Sequence, residues 1–172
     1  MTGDFEGPLA RDRDQAGRPR NSRPRDELGR PLPRITRPNE PVPAPDPHPL
    51  SPDEAARQGG SLLLDGRPFH AHEVFEDTWK SATGPERDLW RGLAQIAVGL
   101  THARRGNPRG AVALLTRGAS LVRQYQDRVR IADPHGIDVA FVAARAEGLA
   151  AQIEADGLAT LPLEAFLLPL RG

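Results

Sequence analysis

The residues best suited to chemistry in this chain lie in one short segment, FHAHEVFEDTW, from Phe69 to Trp79. It holds two histidines, three carboxylates and a tryptophan within eleven residues. Histidine and carboxylate side chains ligate divalent metals and act as general acids and bases, but they also form polar networks inside helical bundles. On an α-helix, His72 and Glu76 lie one turn apart at the border of the apolar face, so we expect this pair to be partly buried.

A second line of polar residues lies on the next predicted helix. That helix is apolar or small over most of its surface, which is typical of a central helix, and its polar exceptions are Arg91, Gln95 and His102. If the helix is central, these side chains need partners, because a buried polar group left unpaired costs roughly 1–3 kcal/mol. We expect the two antiparallel helices to turn their polar residues toward each other. We call this set of residues the seam: His72, Glu73, Glu76, Arg91, Gln95 and His102.

The seam has two chemical interpretations. In the first, which we favour, it is a hydrogen-bonded and charge-paired network that fixes helix register, with Arg91 binding a carboxylate bidentately. In the second, three of its side chains ligate a divalent metal: His72, Glu76 and His102. Glu73 is then the base beside a metal-bound water, and the protein is a metal-dependent hydrolase. The H-E-x-x-E segment resembles the zinc-protease motif H-E-x-x-H but lacks its second histidine.

A third interpretation is a groove for a small ligand or an unknown protein partner, because stacked helix hairpins often bind partners on a concave side. The large side chains available for it are Trp79, Trp90 and Tyr125, beside Arg91. We favour core packing for Trp79. For Trp90 and Tyr125 both interpretations stay open.

Composition excludes several classes of protein. The chain has 172 residues, no cysteine, and 23 basic and 23 acidic residues. It therefore has no disulfides, thiolate catalysis or cysteine-ligated zinc, and its balanced charge argues against a nucleic-acid partner. The first residues lack a cationic region before an apolar one, and the longest apolar-leaning run, GLAQIAVGLTHA, has twelve residues. Because a membrane helix needs about 20, we expect a cytoplasmic protein without a membrane segment.

Proline and arginine mark the first fifty residues as a separate region. Eleven of the eighteen prolines lie between Pro8 and Pro49, among nine arginines and eight acidic residues, and apolar residues are scarce. Such a segment cannot bury enough apolar surface to offset the entropy lost on ordering. We therefore predict a disordered tail over residues 1–50 and a helical domain over residues 51–172.

The domain is predicted to be all-α, a small bundle of five helices arranged as antiparallel hairpins, because no segment alternates like a strand. Ser51–Glu54 is a capping box, and at a later corner Asn107 is the predicted N-cap, with Pro108 at the first helical position. The motif G-x-P-x-x-A occurs at residues 66–71 and 106–111 and marks two helix-to-helix corners, as in tetratricopeptide-type hairpins. The expected helices span about 52–64, 68–82, 85–105, 108–130 and 138–155.

The C-terminal segment LPLEAFLLPL, residues 161–170, is apolar and interrupted by prolines. We expect it to cross the bundle as a strap rather than to form a full helix. An apolar strap is also a candidate surface for self-association, so we expect a homo-oligomer formed near Phe166–Leu170.

Two blocks of this sequence resemble the motifs of a bacterial family known as domain of unknown function 309. The first block is A-H-E-x-x-E-x-x-W over Ala71–Trp79, and the second runs from Gly92-Leu93-x-Gln95 through His102 to Gly110-Ala111. The resemblance covers about residues 62–121. It implies a small multihelical bundle and no established activity, so our prediction is a non-catalytic interaction or small-ligand-binding module organised by the seam. The metal-dependent hydrolase is the alternative.

Overall fold

The computed structural model describes Arg30 and residues 50–172, and over these residues the chain is all-α. The five predicted helices are all present, and each begins and ends within one residue of its expected position. The chain also has two short 3₁₀ turns. Pro134–Gly136 lies between the fourth and fifth helices, and Leu163–Phe166 lies after the fifth. The helices are α1 (Pro52–Leu64), α2 (Pro68–Ser81), α3 (Glu86–Arg104), α4 (Pro108–Val129) and α5 (Val139–Asp156).

Local hydrogen bonds explain why the helix ends could be predicted. The amide of Glu54 donates to the Ser51 hydroxyl oxygen at 3.4 Å, and the Ser51 amide donates back to the Glu54 carboxylate at 3.0 Å. At the start of α4, the Asn107 side-chain oxygen accepts from the Gly110 amide at 2.9 Å. Both caps satisfy amides that the first helical turn leaves without a partner.

Each helix packs mainly against its neighbours in sequence, and α3 is central, as its composition predicts. The backbones of α3 and α4 approach closely where two glycines meet. A Cβ atom on Gly92 would lie 2.9 Å from the Gly118 carbonyl oxygen, and a Cβ atom on Gly118 would lie 2.7 Å from the Gly92 oxygen. Side chains at these positions would push the two helices apart, so the glycines set the spacing of the central pair.

The C-terminal segment crosses the bundle as the predicted strap. Phe166, Leu168 and Leu170 are buried against the domain's own core, and the Asp138 amide donates to the Leu170 carbonyl at 2.8 Å. The expected self-association surface near Phe166–Leu170 is therefore wrong, because these apolar side chains are already covered by their own chain.

The predicted disordered tail lies outside the described residues, except for Arg30 and Leu50, and its boundary with the domain stays a prediction. Among the described helices, none is both long and apolar enough to cross a membrane.

Candidate functional site

The first half of the seam lies on α2, where His72 and Glu76 pair as the helical spacing predicts. The His72 Nε2 atom lies 3.4 Å from a Glu76 carboxylate oxygen, and the other oxygen of Glu76 lies 3.4 Å from Lys80 Nζ. Burial lowers the pKa of His72 below its ordinary value of 6.5, although Glu76 and Glu73 act in the opposite direction. His72 is therefore neutral near pH 7. A backbone hydrogen bond with Ala94 on α3 also raises its pKa slightly, and its buried Nδ1 atom has no hydrogen bond of good geometry to any other described residue.

Two further buried polar atoms on α2 and α3 also lack hydrogen-bond partners among the described residues. They are the indole nitrogen of Trp79 on α2 and the side-chain oxygen of Gln95 on α3. Trp79 itself is half-buried, and the guanidinium groups of Arg87 and Arg91 lie 5.1 and 5.7 Å from its ring centroid. Arg91 therefore stacks on an aromatic ring, and in the described part of the chain it forms no bidentate pair with a carboxylate, contrary to expectation.

His102 lies apart from the rest of the seam, at the corner between α3 and α4. Its Nδ1 atom is 2.8 Å from the Asn107 amide nitrogen, which can only donate, so this ring nitrogen is an acceptor. Gly110 packs directly beside it, since a Cβ atom there would lie 2.4 Å from His102 Nδ1. His102 is thus a corner residue that positions the α4 cap.

The predicted metal site does not assemble. Within Arg30 and residues 50–172, no group of three or more histidine, cysteine, aspartate or glutamate side chains is placed to hold a metal ion. His72 and Glu76 are adjacent, but His102 is engaged at the corner and Glu73, the candidate base, is exposed to solvent. A helical wheel predicts which face of its helix a residue lies on, but not which residues of the neighbouring helix lie opposite it. The prediction that His72, Glu76 and His102 ligate one metal is therefore wrong.

The predicted aromatic groove is also corrected. Trp90 and Tyr125 are 0% and 1% exposed, so both belong to the core, whereas Trp79 alone of the three reaches the surface. The polar ends of both buried rings meet one carboxylate. Trp90 Nε1 donates to Glu86 at 3.0 Å, and the Tyr125 hydroxyl donates to the same side chain at 3.3 Å. Burial and the nearby Glu86 charge raise the pKa of Tyr125 to about 12.

Glu86 belongs to a polar cluster that sequence reasoning missed. His135, in the loop before α5, donates through Nδ1 to Asp53 at 2.7 Å and through Nε2 to Glu86 at 3.0 Å. Its ring centroid lies 5.6 Å from that of Trp90. Two carboxylate acceptors require a proton on both ring nitrogens, so His135 is an imidazolium here. We call these residues the His135 cluster: Asp53, Glu86, Trp90, Tyr125 and His135.

The backbone of His135 is itself unusual. Its φ of 54° and ψ of 22° place it in the left-handed region, which residues other than glycine rarely adopt. The burial of His135 lowers its pKa, but the hydrogen bonds to Asp53 and Glu86 outweigh this effect, and the pKa is raised above 6.5. The sequence signal available was D-P-H-G, a turn in which the glycine that follows helps the chain reverse. It marks a turn, but not the partners, which lie 82 and 49 residues away.

Comparison with known proteins matches residues 56–114 to the family Domain of unknown function (DUF309). This span runs from α1 into α4 and contains the whole seam. Uncharacterized protein YpuF from Bacillus subtilis (strain 168) is 37% identical over 71 residues, which are 41% of this chain and 39% of that protein. The chain therefore spans well under half the length of this relative. No solved structure gives a significant match.

The family match covers both sequence blocks that pointed to it, the α2 segment from Ala71 to Trp79 and the α3–α4 segment from Gly92 to Ala111. The family has no assigned activity, so the match identifies the domain without identifying a reaction. The resemblance predicted from the motifs is confirmed: residues 56–114 of this chain match the model of the family Domain of unknown function (DUF309).

Proposed function

We propose that this domain is a non-catalytic binding module that holds a small ligand or a peptide segment of a partner protein at the α2–α3 part of the seam. One observation carries the proposal: among the described residues, His72 Nδ1, Trp79 Nε1 and Gln95 Oε1 are buried without hydrogen-bond partners. Folded proteins pair nearly all such atoms with protein or ordered water. These atoms on two neighbouring helices can therefore form hydrogen bonds with a bound ligand.

The chemistry of these atoms indicates the class of ligand. Trp79 Nε1 can only donate, and Gln95 Oε1 can only accept. Because His72 Nε2 faces Glu76, the neutral ring presents Nδ1 as a second acceptor. A ligand that satisfies the set needs both a donor and an acceptor, and an amide group carries both on neighbouring atoms. We therefore expect a peptide main chain or a carboxamide-bearing small molecule.

Access to these atoms requires a side-chain movement. The atoms themselves have almost no exposed surface, but the His72 side chain is 24% exposed and Trp79 is half-buried. A change of rotamer is enough to bring a ring nitrogen to the surface. Such a change costs less here than at a satisfied site, since no hydrogen bond at these atoms is broken.

Arg87 and Arg91 support the same function because both guanidinium groups lie over the Trp79 ring. A cation–π contact at an exposed site contributes about 0.5–1 kcal/mol, so the pair favours one orientation of the indole. An ordered aromatic side chain loses less entropy when a ligand binds. The hydrolase alternative lacks its third metal ligand, and we do not propose it.

The proposal is tested with immobilised full-length protein and pools of capped tetrapeptides, measured by surface plasmon resonance. We expect at least one pool to bind, and we expect Trp79→Phe and Gln95→Met to weaken that binding about ten-fold or more, because each removes one hydrogen-bonding atom to the ligand. Trp79→Phe keeps the aromatic ring, and Gln95→Met keeps the length of the side chain.

The matched control is Arg117→Gln, which changes an exposed residue of α4 outside the seam and is expected to leave binding unchanged. Binding that survives both Trp79→Phe and Gln95→Met would contradict the proposal. So would the absence of binding to every pool together with normal folding of the wild-type protein by circular dichroism.

A further inference from the structure

A separate groove of about 610 Å³ lies between α1 and the strap, away from the seam. One wall is the face of α1 from Ala56 to Leu64, and the helix rises about 12 Å between these two residues. The other wall is formed by Pro169–Arg171 at the end of the strap and by the loop at His135. The groove is therefore a trough with a defined length and two distinct ends.

One end of the groove is cationic. His135 lines it, and its partner Asp53 lies one turn before Arg57 on α1, which places Arg57 at the same end. Arg171 joins them, because its Nε atom donates to the carbonyl of Gly136, the next residue after His135. Three cationic side chains from α1, the loop and the C-terminal segment thus surround one end of the trough.

The charge at this end is only partly neutralised. His135 is balanced by Asp53 and Glu86. Hydrogen bonds from Ser51 and the charge of Arg57 lower the pKa of the nearby Glu54, but neither Arg57 nor Arg171 forms an ion pair in the described part of the chain. Among the described lining residues, none is acidic. The two arginines therefore provide a positive potential that favours an anion.

The opposite end of the groove is apolar. Leu64 is 51% exposed there, and Leu170 also lines the groove. Glycine at position 60 opens this part of the trough, since a Cβ atom would lie 3.2 Å from the Leu170 side chain. A ligand that fills the groove needs an anionic head at one end and an aliphatic chain at the other.

We propose that this groove binds an aliphatic carboxylate, with its carboxylate between Arg57 and Arg171 and its chain directed along α1 toward Leu64. The guanidinium groups provide charge-assisted hydrogen bonds to the head group. The chain covers the exposed Leu64 side chain and removes apolar surface from water. This site shares no residue with the seam and does not depend on the function proposed there.

The test is isothermal titration calorimetry of the full-length protein with decanoate, below its micelle-forming concentration. We expect one decanoate per chain and at least ten-fold weaker binding of hexanoate, because each buried methylene strengthens binding about four-fold. Arg57→Gln and Arg171→Gln are each expected to weaken decanoate binding about ten-fold. Arg117→Gln is the control, since it removes an exposed arginine outside the groove.

Arg57→Gln and one further variant, Leu64→Ser, keep the proposal falsifiable. Arg57→Gln does not touch the strap, so it reports on binding even where Arg171→Gln loosens the C-terminal segment. Leu64→Ser shortens the exposed aliphatic end, and we expect it to reduce the difference between decanoate and hexanoate. No decanoate binding, or binding unchanged in Arg57→Gln and Leu64→Ser, overturns the proposal. Binding of an acidic, leucine-rich peptide in place of decanoate also overturns it, in favour of a peptide groove.

Discussion

At the scale of single residues, Gln95 shows how the seam differs from an ordinary packed interface. Its side-chain oxygen, on α3, is buried and accepts no hydrogen bond from any described residue. In a purely structural network, both helices would supply complementary groups and the oxygen would be paired. The unpaired oxygen indicates that this position is not optimised for stability alone.

Replacing the unpaired amide by an apolar side chain of similar length tests this directly. We expect Gln95→Met to raise the free energy of unfolding by about 1 kcal/mol, because it removes an unsatisfied buried acceptor. Urea denaturation followed by circular dichroism measures the change. The matched control, Gln152→Met on the exposed face of α5, is expected to stay within about 0.5 kcal/mol. A loss of stability in Gln95→Met beyond that of the control would show that Gln95 makes a structural hydrogen bond.

The sequence predicts contacts within one helix better than contacts between helices. The His72–Glu76 pair follows from helical periodicity, and it is present. The partners of Arg91 and His102 depend on how α3 is positioned along its neighbours, and both were assigned incorrectly. Trp90 and Tyr125 fit a groove or a core equally well by residue type, so only the packing of α3 and α4 decides between them.

At the scale of elements, the close approach of α3 and α4 depends on two glycines. The Cβ atom of an alanine at position 92 would lie 2.8 Å from a Val122 methyl carbon and 2.9 Å from the Gly118 carbonyl oxygen. The second contact is with backbone, which cannot move aside without displacing the helix. The helix-forming gain of alanine is therefore outweighed at this position.

We expect Gly92→Ala to lower the free energy of unfolding by about 1–3 kcal/mol through overpacking. Gly148→Ala is the matched control, because Gly148 is exposed in α5 and a Cβ atom there would meet nothing within 4 Å. That substitution is expected to stabilise the protein by about 0.5–1 kcal/mol, since it only removes the entropic cost of a helical glycine. Thermal unfolding compares the two variants, and equal effects would contradict the close packing of α3 on α4.

The His135 cluster joins elements that are distant in sequence and makes stability depend on pH. The pKa of His135 is raised above its ordinary value of 6.5, as the two carboxylates outweigh burial. Its contribution to stability is therefore fully present below about pH 6.5 and is lost as the pH rises through the folded-state pKa. His72 has a lowered pKa, so its contribution to stability is present above about pH 6.5 and is lost as the pH falls through its folded-state pKa.

His135→Asn isolates this contribution, because asparagine tolerates the left-handed backbone but cannot reach both carboxylates. We expect the variant to be less stable than the wild type in mildly acidic solution and the difference to shrink in mildly alkaline solution. Urea denaturation at several pH values measures it. A difference that is independent of pH would mean that the protonated ring is not what holds Asp53 and Glu86 together.

At the scale of the whole molecule, the fold was predictable because most of its signals are local. Caps, prolines and glycines mark each helix end, and the nearly all-round apolar surface of α3 marks the centre. The contacts made by the loop at His135 and by the strap join residues that are far apart in sequence. The loop at His135 contacts α1 and α3, and the strap covers the core, so both depend on the finished arrangement of helices. The position of the strap across the bundle was predicted from its apolar, proline-interrupted sequence, whereas the residues that it contacts, such as Gly60 on α1, were not.

The central claim, a binding module with unpaired polar atoms in the seam, is tested most directly by the two indole N–H signals in a ¹H–¹⁵N correlation spectrum. Trp90 is the internal control, because its indole already donates to Glu86, whereas the Trp79 indole has no partner. Trp79→Phe assigns the two signals. We predict that titration with a binding pool of capped tetrapeptides moves the Trp79 signal downfield and leaves the Trp90 signal in place. A stationary Trp79 signal at saturating peptide would contradict the account.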